Sequence, residues 1–147
     1  MAISEVNRAI ALNPNDDKGY ADKGASLVSL GHAKEAIELF EVARSLNPAM
    51  GSGRYESIGW AYYLERRYAD AVVALDTLLR TTPRDFLPHA ALAASYAQLG
   101  RAEDAARAAA AVMRLWPFFQ ADVFARNFQG EANRALIVEG LRKAGLK

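Results

Sequence analysis

The feature of this sequence that most constrains its fold is a repeat of nearly constant length. Four prolines are separated by 34, 35 and 34 residues: Pro14, Pro48, Pro83 and Pro117. An alanine stands twelve residues before each of them: Ala2, Ala36, Ala71 and Ala105. A period of this length is typical of solenoids, in which each repeat packs against its neighbours. We therefore expect a stack of similar units.

Each unit contains two helical patterns. Apolar and small residues lie three, four and seven apart, the spacing of one face of an α-helix. The pattern predicts first helices over 17–30, 52–65 and 86–98, and second helices over 33–46, 68–80 and 102–114. Each proline ends a second helix, because the residue before proline disfavours helical geometry.

Small residues and glycines indicate how the two helices of a unit meet. Gly24, Gly59 and Ala93 are expected to face the repeated alanines Ala36, Ala71 and Ala105, which allows a close approach. Gly31 and Gly100 are placed to end first helices in a left-handed turn. Arg66 has the equivalent place in the second unit, where we expect a turn that is strained or differently shaped.

The two ends of the chain depart from the period. Residues 2–12 match only a second helix, which indicates either a piece of a longer protein or a natural N-terminal helix that acts as the cap. Its apolar side chains predict an open edge that favours self-association: Ile3, Val6, Ile10 and Leu12. At the other end, a short helix over 118–128 and another over 131–144 are expected to close the last repeat.

These residues resemble the tetratricopeptide repeat (TPR) family, whose 34-residue pattern runs aromatic, Leu-Gly, Tyr, Ala, Phe and Pro. The resemblance covers residues 2–119; Lys23, His89 and Ala109 depart from it. It implies an all-α, right-handed superhelix of antiparallel helix pairs with C-terminal capping helices. The predicted organisation is one domain over 1–147: a partial repeat (1–16), three units (17–50, 52–85 and 86–119) and the capping helices (120–147).

In that family, positions 2, 5, 9, 12 and 13 of each unit line a concave groove that binds a partner. The resemblance places fifteen residues there: Lys18, Ala21, Ala25, Val28, Ser29, Gly53, Glu56, Trp60, Tyr63, Leu64, Leu87, Ala90, Ala94, Ala97 and Gln98. Trp60 and Tyr63 are the expected aromatic anchors of a ligand, with Glu56 one turn earlier. The alternative is that both rings simply pack against the neighbouring repeat.

The last residues carry a second resemblance. The run from Ile137 to Leu146 is similar to the tail that follows the TPR array in bacterial class III adenylate/guanylate cyclase-like proteins. It implies a regulatory segment whose catalytic or DNA-binding part lies upstream.

Several kinds of function find no support in the sequence. A net charge of +1 gives no electrostatic reason to expect nucleic acid or a membrane as partner. The chain has no cysteine, and its two histidines, His32 and His89, lie far apart, so we expect no metal and no cofactor. Gly51–Arg54 lacks the lysine and the strand of a phosphate-binding loop. The chain is thus expected not to be an enzyme, and to reside in the cytoplasm.

The predicted function is the binding of a protein or peptide in the concave groove. The alternative is a regulatory TPR segment of a larger signalling enzyme or transcription regulator, of which the cyclase-like proteins are the example.

Overall fold

The computed structural model describes residues 3–49 and 54–147. In those ranges the chain forms nine α-helices: α1 (Ile3–Leu12), α2 (Asp17–Ser29), α3 (Ala33–Leu46), α4 (Ser57–Leu64), α5 (Tyr68–Leu79), α6 (Phe86–Gln98), α7 (Ala102–Leu115), α8 (Ala121–Ala125) and α9 (Glu131–Lys143). The predicted all-α fold is confirmed. Helix α4 begins five residues later than predicted, and α8 is shorter than the predicted helix over 118–128. Ala2 and the stretch 50–53, with the predicted groove residue Gly53, lie outside the described residues.

The repeat determines which helices pack together. Within each unit the two helices pair: α2 with α3, α4 with α5 and α6 with α7. Neighbouring units join through α3 with α4 and α5 with α6, and the first helices α2, α4 and α6 stack in a row. This row forms one surface of the solenoid, which we call the concave surface.

Close approach within a unit depends on glycine, but not against the predicted partners. A Cβ added to Gly24 would lie 3.0 Å from the Phe40 ring, and one added to Gly59 would lie 2.6 Å from Leu75. The expectation that these glycines face Ala36 and Ala71 is therefore wrong: each faces the large residue one helical turn further on.

The third unit solves the same packing problem with different residues. The position equivalent to Gly59 is Ala93, and the position equivalent to Leu75 is Ala109; both side chains are buried. A larger residue on one helix thus accompanies a smaller residue on the other. The methyl group of Ala93 replaces part of the volume that the smaller Ala109 leaves between the two helices.

The turns inside the units all use the left-handed backbone region. Gly31 and Gly100 have φ of 90° and 75°, as predicted from their place after a first helix. Arg66 has φ of 59°, so the second unit keeps the same turn with a residue that has a Cβ. This conformation is unfavourable for residues that have a Cβ, so the backbone at Arg66 is strained. A strained turn was one of the two outcomes expected there, the other being a differently shaped turn.

Hydrogen bonds tie the first unit to the second at the end of α3. The Asp17 carboxylate accepts from the Tyr55 hydroxyl at 2.9 Å and from the Asn47 amide at 3.0 Å. The Tyr55 hydroxyl also lies 3.2 Å from the carbonyl oxygen of Ala43. Burial, reinforced by Asp17, raises the pKa of Tyr55 well above its ordinary value, so its proton stays in place to donate.

Helix α1 packs on α2 and is less open than its apolar stripe predicted. Val6 is only 1% exposed, and Ile3 packs against the core. Leu12 is 79% exposed. The prediction of four solvated apolar side chains is therefore wrong for Val6, which is already covered within the chain. Separately, no helix in the described parts of the chain combines the length and apolar character needed to cross a membrane.

Candidate functional site: a concave surface filled by the chain itself

The site residues predicted from the sequence lie on the three first helices or at their ends. Six are buried: Ala21, Ala25, Trp60, Tyr63, Ala90 and Ala94. Glu56, Leu64 and Gln98 are half-buried, and Lys18 is exposed. Trp60 is only 3% exposed, so the ring expected to anchor a ligand is covered within the chain.

The concave surface is covered by residues 116–147, which we call the C-terminal segment. Its helix α9 packs against α4, α6 and α8, and among the described helices it makes no close approach to α7. The N–H of Gln129 donates to the carbonyl of Ser29 at 2.7 Å, so the segment reaches back to the first unit. The predicted closing of the last repeat is observed, since α9 packs mainly on α6. The segment extends further than predicted, to α4 and to the end of α2.

The segment is also closed on itself. The N–H of Ala121, at the start of α8, donates to the carbonyl of Lys147 at 2.7 Å. Arg142 on α9 forms an ion pair with Asp122 on α8, at 2.5 Å and with both side chains exposed. Exposed pairs of this kind contribute little stability. The packing of the segment therefore depends mainly on its buried side chains Ile137, Leu141 and Leu146.

The closest contact between α9 and the concave surface is made by Tyr63. Its hydroxyl donates to the carbonyl of Leu136 at 2.5 Å and accepts from the Gln98 amide at 3.1 Å. A Cβ on Gly140 would lie 2.1 Å from that hydroxyl and 3.0 Å from Cβ of Ala94. The absence of a side chain at Gly140 is thus what lets α9 lie against two adjacent repeats. Burial is the main cause that raises the pKa of Tyr63 to about 12.

Polar contacts line the edge of this interface. The Gln98 amide nitrogen donates to the Glu139 carboxylate at 3.4 Å, while its oxygen accepts from the Lys143 ammonium at 3.2 Å. One neutral amide therefore binds both an acidic and a basic side chain of α9. Both contacts are exposed, so they orient the helix more than they stabilise it.

Nearly one turn before Tyr63 on α4, Trp60 lies among aromatic rings of the C-terminal segment. Its ring centroid is 5.3 Å from Phe124, 5.8 Å from Phe128 and 5.3 Å from Tyr63. These distances are those of favourable aromatic pairs. The buried indole nitrogen of Trp60 has no hydrogen-bond acceptor among the described residues. An unpaired buried donor costs about 1–3 kcal/mol, so the segment fits less well here than at Tyr63.

A small cavity remains beside this cluster. It measures about 160 Å³ and is lined in part by Trp60, Phe124, Phe128, Glu56 and Arg54. Burial is the main cause that raises the pKa of the Glu56 carboxyl. The partly buried Glu56 carboxyl, the unpaired indole N–H of Trp60 and this space therefore lie together, beside the α8 residue Phe124.

The histidines show no such arrangement. His32 lies 3.7 Å from Glu35 across an exposed turn. His89 is half-buried near Leu92 and Tyr96, as expected, and its Nε2 lies 3.1 Å from the carbonyl oxygen of Pro83. Within the described ranges, no three His, Asp or Glu side chains are grouped so that they could hold a metal ion.

Known proteins support the repeat architecture. No protein-family model matches the chain. A curated relative, small glutamine-rich tetratricopeptide repeat-containing protein 2 of Mycosarcoma maydis, is 31% identical over 98 residues, which are 67% of this chain and 28% of the relative. The crystal structure of MamA matches with a TM-score of 0.70 and 19% identity, over 97% of this chain and 84% of that one. The fold is that of tetratricopeptide repeats.

Two further structures agree with this TPR fold. MamA from Desulfovibrio magneticus RS-1 has a TM-score of 0.70 at 16% identity, over 97% of this chain and 81% of that one. YrrB, described as a TPR protein with an unusual peptide-binding site, has a TM-score of 0.50 at 19% identity, over 97% and 92% of the two chains. None of these names is that of an enzyme or a cyclase. The resemblance of residues 137–146 to cyclase-like tails is not supported by them.

Sequence reasoning missed Gly140 as a contact residue. A glycine inside a helix costs roughly 1 kcal/mol relative to alanine. Its place between Ile137 and Leu141, on the apolar stripe of α9, was a signal that another group approaches the helix closely there.

Proposed function

We propose that this TPR domain binds a segment of another protein, or a peptide, on its concave surface. The single observation that carries the proposal is that a peptide-like segment of the same chain is already bound there. The Tyr63 hydroxyl donates a hydrogen bond to a main-chain carbonyl of α9 and accepts one from Gln98. Gly140 allows α9 to lie against Tyr63. A surface that binds one helix by such contacts has the features needed to bind another.

The residues that would contact a partner are those predicted for the groove: Lys18, Ala21, Ala25, Glu56, Trp60, Tyr63, Leu64, Ala90, Ala94 and Gln98. The alanines leave a trough, and the aromatic residues supply the rigid apolar area on which binding energy concentrates. The match with YrrB, a TPR protein with a peptide-binding site, supports the same use of the fold. The chain spans about a quarter of its curated relative, so the relative's partners carry over only as proposals.

The test uses peptides displayed on phage and selected against the immobilised full chain. We expect the selected peptides to lose binding by at least about tenfold, or 1.4 kcal/mol, when Ala94→Arg places a long charged side chain in the trough. The matched control is Ala110→Arg, on the exposed side of α7, which should leave binding unchanged. Circular dichroism checks that both variants are folded. Peptides that bind both variants equally would place the site elsewhere, and a selection without binders would count against peptide binding.

We also propose that binding is the whole role of this domain, without catalysis, nucleic acid or membrane contact, in a cytoplasmic protein. The small net charge supports the absence of nucleic-acid and membrane contact. The alternative of a regulatory segment in a cyclase-like enzyme or transcription regulator rests on the short tail resemblance alone, and no structural observation favours it.

A further inference from the structure

The C-terminal segment occupies the surface that a partner would need. Six of the ten proposed contact residues are buried. Of these, Tyr63 and Ala94 lie against α9, and Trp60 lies against Phe124 of α8 and against Phe128. A ligand therefore has to replace the segment before it can reach Tyr63 or Trp60. This inference rests on the proposed function and concerns which ligand can do so.

The shape of the occupied trough selects a helix. Helix α9 packs against α4 and α6, where Ala94 lies beneath it on one side and Tyr63 on the other. Space of helix width, about 10 Å, is available because that alanine is small. An extended strand would leave the trough partly empty and would lose dispersion contacts with its walls.

The contact at Tyr63 sets a second requirement. The 2.1 Å and 3.0 Å approaches to a Cβ at Gly140 come from adjacent repeats, so neither can move aside alone. The ligand helix must therefore carry glycine at this point. One turn before and one residue after it, Ile137 and Leu141 are fully buried, so branched apolar residues are needed there.

The segment is not an ideal occupant, which makes replacement feasible. Its α8 part leaves the Trp60 indole N–H unpaired and a cavity of about 160 Å³ unfilled. A ligand that places an oxygen acceptor near Trp60 would make a hydrogen bond that the segment lacks. The fit at these two neighbouring residues thus differs: the segment matches Tyr63 closely, and a ligand could improve on its contact with Trp60.

We propose that the C-terminal segment is a built-in competitor, and that the partner is an amphipathic helix of the α9 type. In sequence terms the partner carries a branched apolar residue, then glycine three positions later, then leucine, as do Ile137, Gly140 and Leu141. It binds by displacing α9 from the concave surface.

The test uses the full chain and a labelled synthetic peptide with the sequence of residues 129–147. In the Gly140→Leu chain, α9 can no longer lie against Tyr63, so the surface is freed. We expect the peptide to bind this chain at least about tenfold more tightly than the wild-type chain. A peptide carrying Gly140→Leu should bind at least about tenfold more weakly, while a control peptide with the exposed Arg134→Leu should bind like the original.

Hydrogen exchange of the wild-type chain gives an independent reading if Gly140→Leu prevents folding. If the segment is displaceable, the backbone amides of α9 should exchange faster than those of α4 and α6. The proposal is overturned if α9 exchanges together with those helices, if the Gly140→Leu peptide binds as well as the original, or if the folded variant chain binds no peptide. Displayed peptides that require Ala94 but do not compete with peptide 129–147 would overturn this inference and leave the proposed function standing.

Discussion

Substitution of Gly140 by alanine tests the central contact of the structure. In an ordinary helix interior this change stabilises by about 1 kcal/mol. Here the new Cβ would lie 2.1 Å from the Tyr63 hydroxyl and 2.9 Å from its Cζ, and Tyr63 is fully buried and cannot turn toward solvent. Overpacking costs about 1–3 kcal/mol, and loss of the hydrogen bond to Leu136 about 0.5–1.5 kcal/mol. The expected net effect is a destabilisation on the order of 1–3 kcal/mol.

Urea unfolding followed by circular dichroism measures this difference. In a Trp116→Phe background, which leaves Trp60 as the single tryptophan, fluorescence reports whether the surroundings of Trp60 change with it. The control Arg134→Ala, on the exposed face of the same helix, should change the unfolding free energy by less than about 0.5 kcal/mol. Adding Tyr63→Phe to Gly140→Ala removes the closest clashing atom and should restore part of the loss. A Gly140→Ala chain as stable as the wild type, or more so, would show that α9 is not seated on Tyr63.

Four further changes follow from single contacts. Trp60→Ala should lower the unfolding free energy by about 3–5 kcal/mol, because the ring is buried among aromatic partners; a loss below about 1 kcal/mol in urea unfolding would contradict that packing. Arg66→Gly should raise thermal stability by about 0.5–1 kcal/mol, since φ is 59°; no gain would argue against strain in this turn. Gly59→Ala should cost about 1–3 kcal/mol, and adding Leu75→Ala should cost less than the sum of the single changes; additivity would refute the contact. Burial raises the pKa of Glu56, so the folded state holds this proton more tightly and stability should fall as pH rises through that pKa. Glu56→Gln should remove this slope, and an unchanged slope in urea titrations at several pH values would assign it to another group.

The helices could be predicted from the sequence because their signals are local and repeated. Proline, the repeated alanine and the apolar spacing recur in each unit, so a weak signal in one is strengthened by the others. Helices α3 and α6 accordingly have the predicted limits. The start of α4 was predicted poorly because it follows the one-residue insertion after Pro48, where the period gives no guidance.

The choice of contacts between helices was harder to predict. The period shows which positions are small, but not which residue each one contacts. A small residue can lie against either of two successive turns of the facing helix, and the repeat pattern is the same in both cases. Gly24 was assigned to Ala36 and lies against Phe40 instead. The predicted contact is wrong by one helical turn. The correct contact depends on how far the two helices are shifted along their axes relative to each other.

The sequence predicts which helix carries Trp60 and Tyr63, but not that the C-terminal segment covers them. The family resemblance places Trp60 and Tyr63 on first helices, and they lie there. The covering of that surface depends on contacts such as Tyr63 with Leu136, which are 73 residues apart in sequence. Residues 120–147 do not repeat, so the period that located the surface contains no information about the helices that cover it.

The contacts at Tyr63 and at Trp60 differ in what a ligand could gain there. Next to Tyr63, α9 already supplies the glycine, the carbonyl that accepts the Tyr63 hydrogen bond and the polar contacts to Gln98. A competing helix can therefore at best make the same contacts there. Near Trp60, the indole N–H has no acceptor and Glu56 keeps a raised pKa beside an unfilled cavity. A ligand that supplies an acceptor to the indole would gain an interaction that the C-terminal segment lacks. Affinity above that of α9 should therefore come from residues placed near Trp60, and the register of the ligand from those placed at Tyr63.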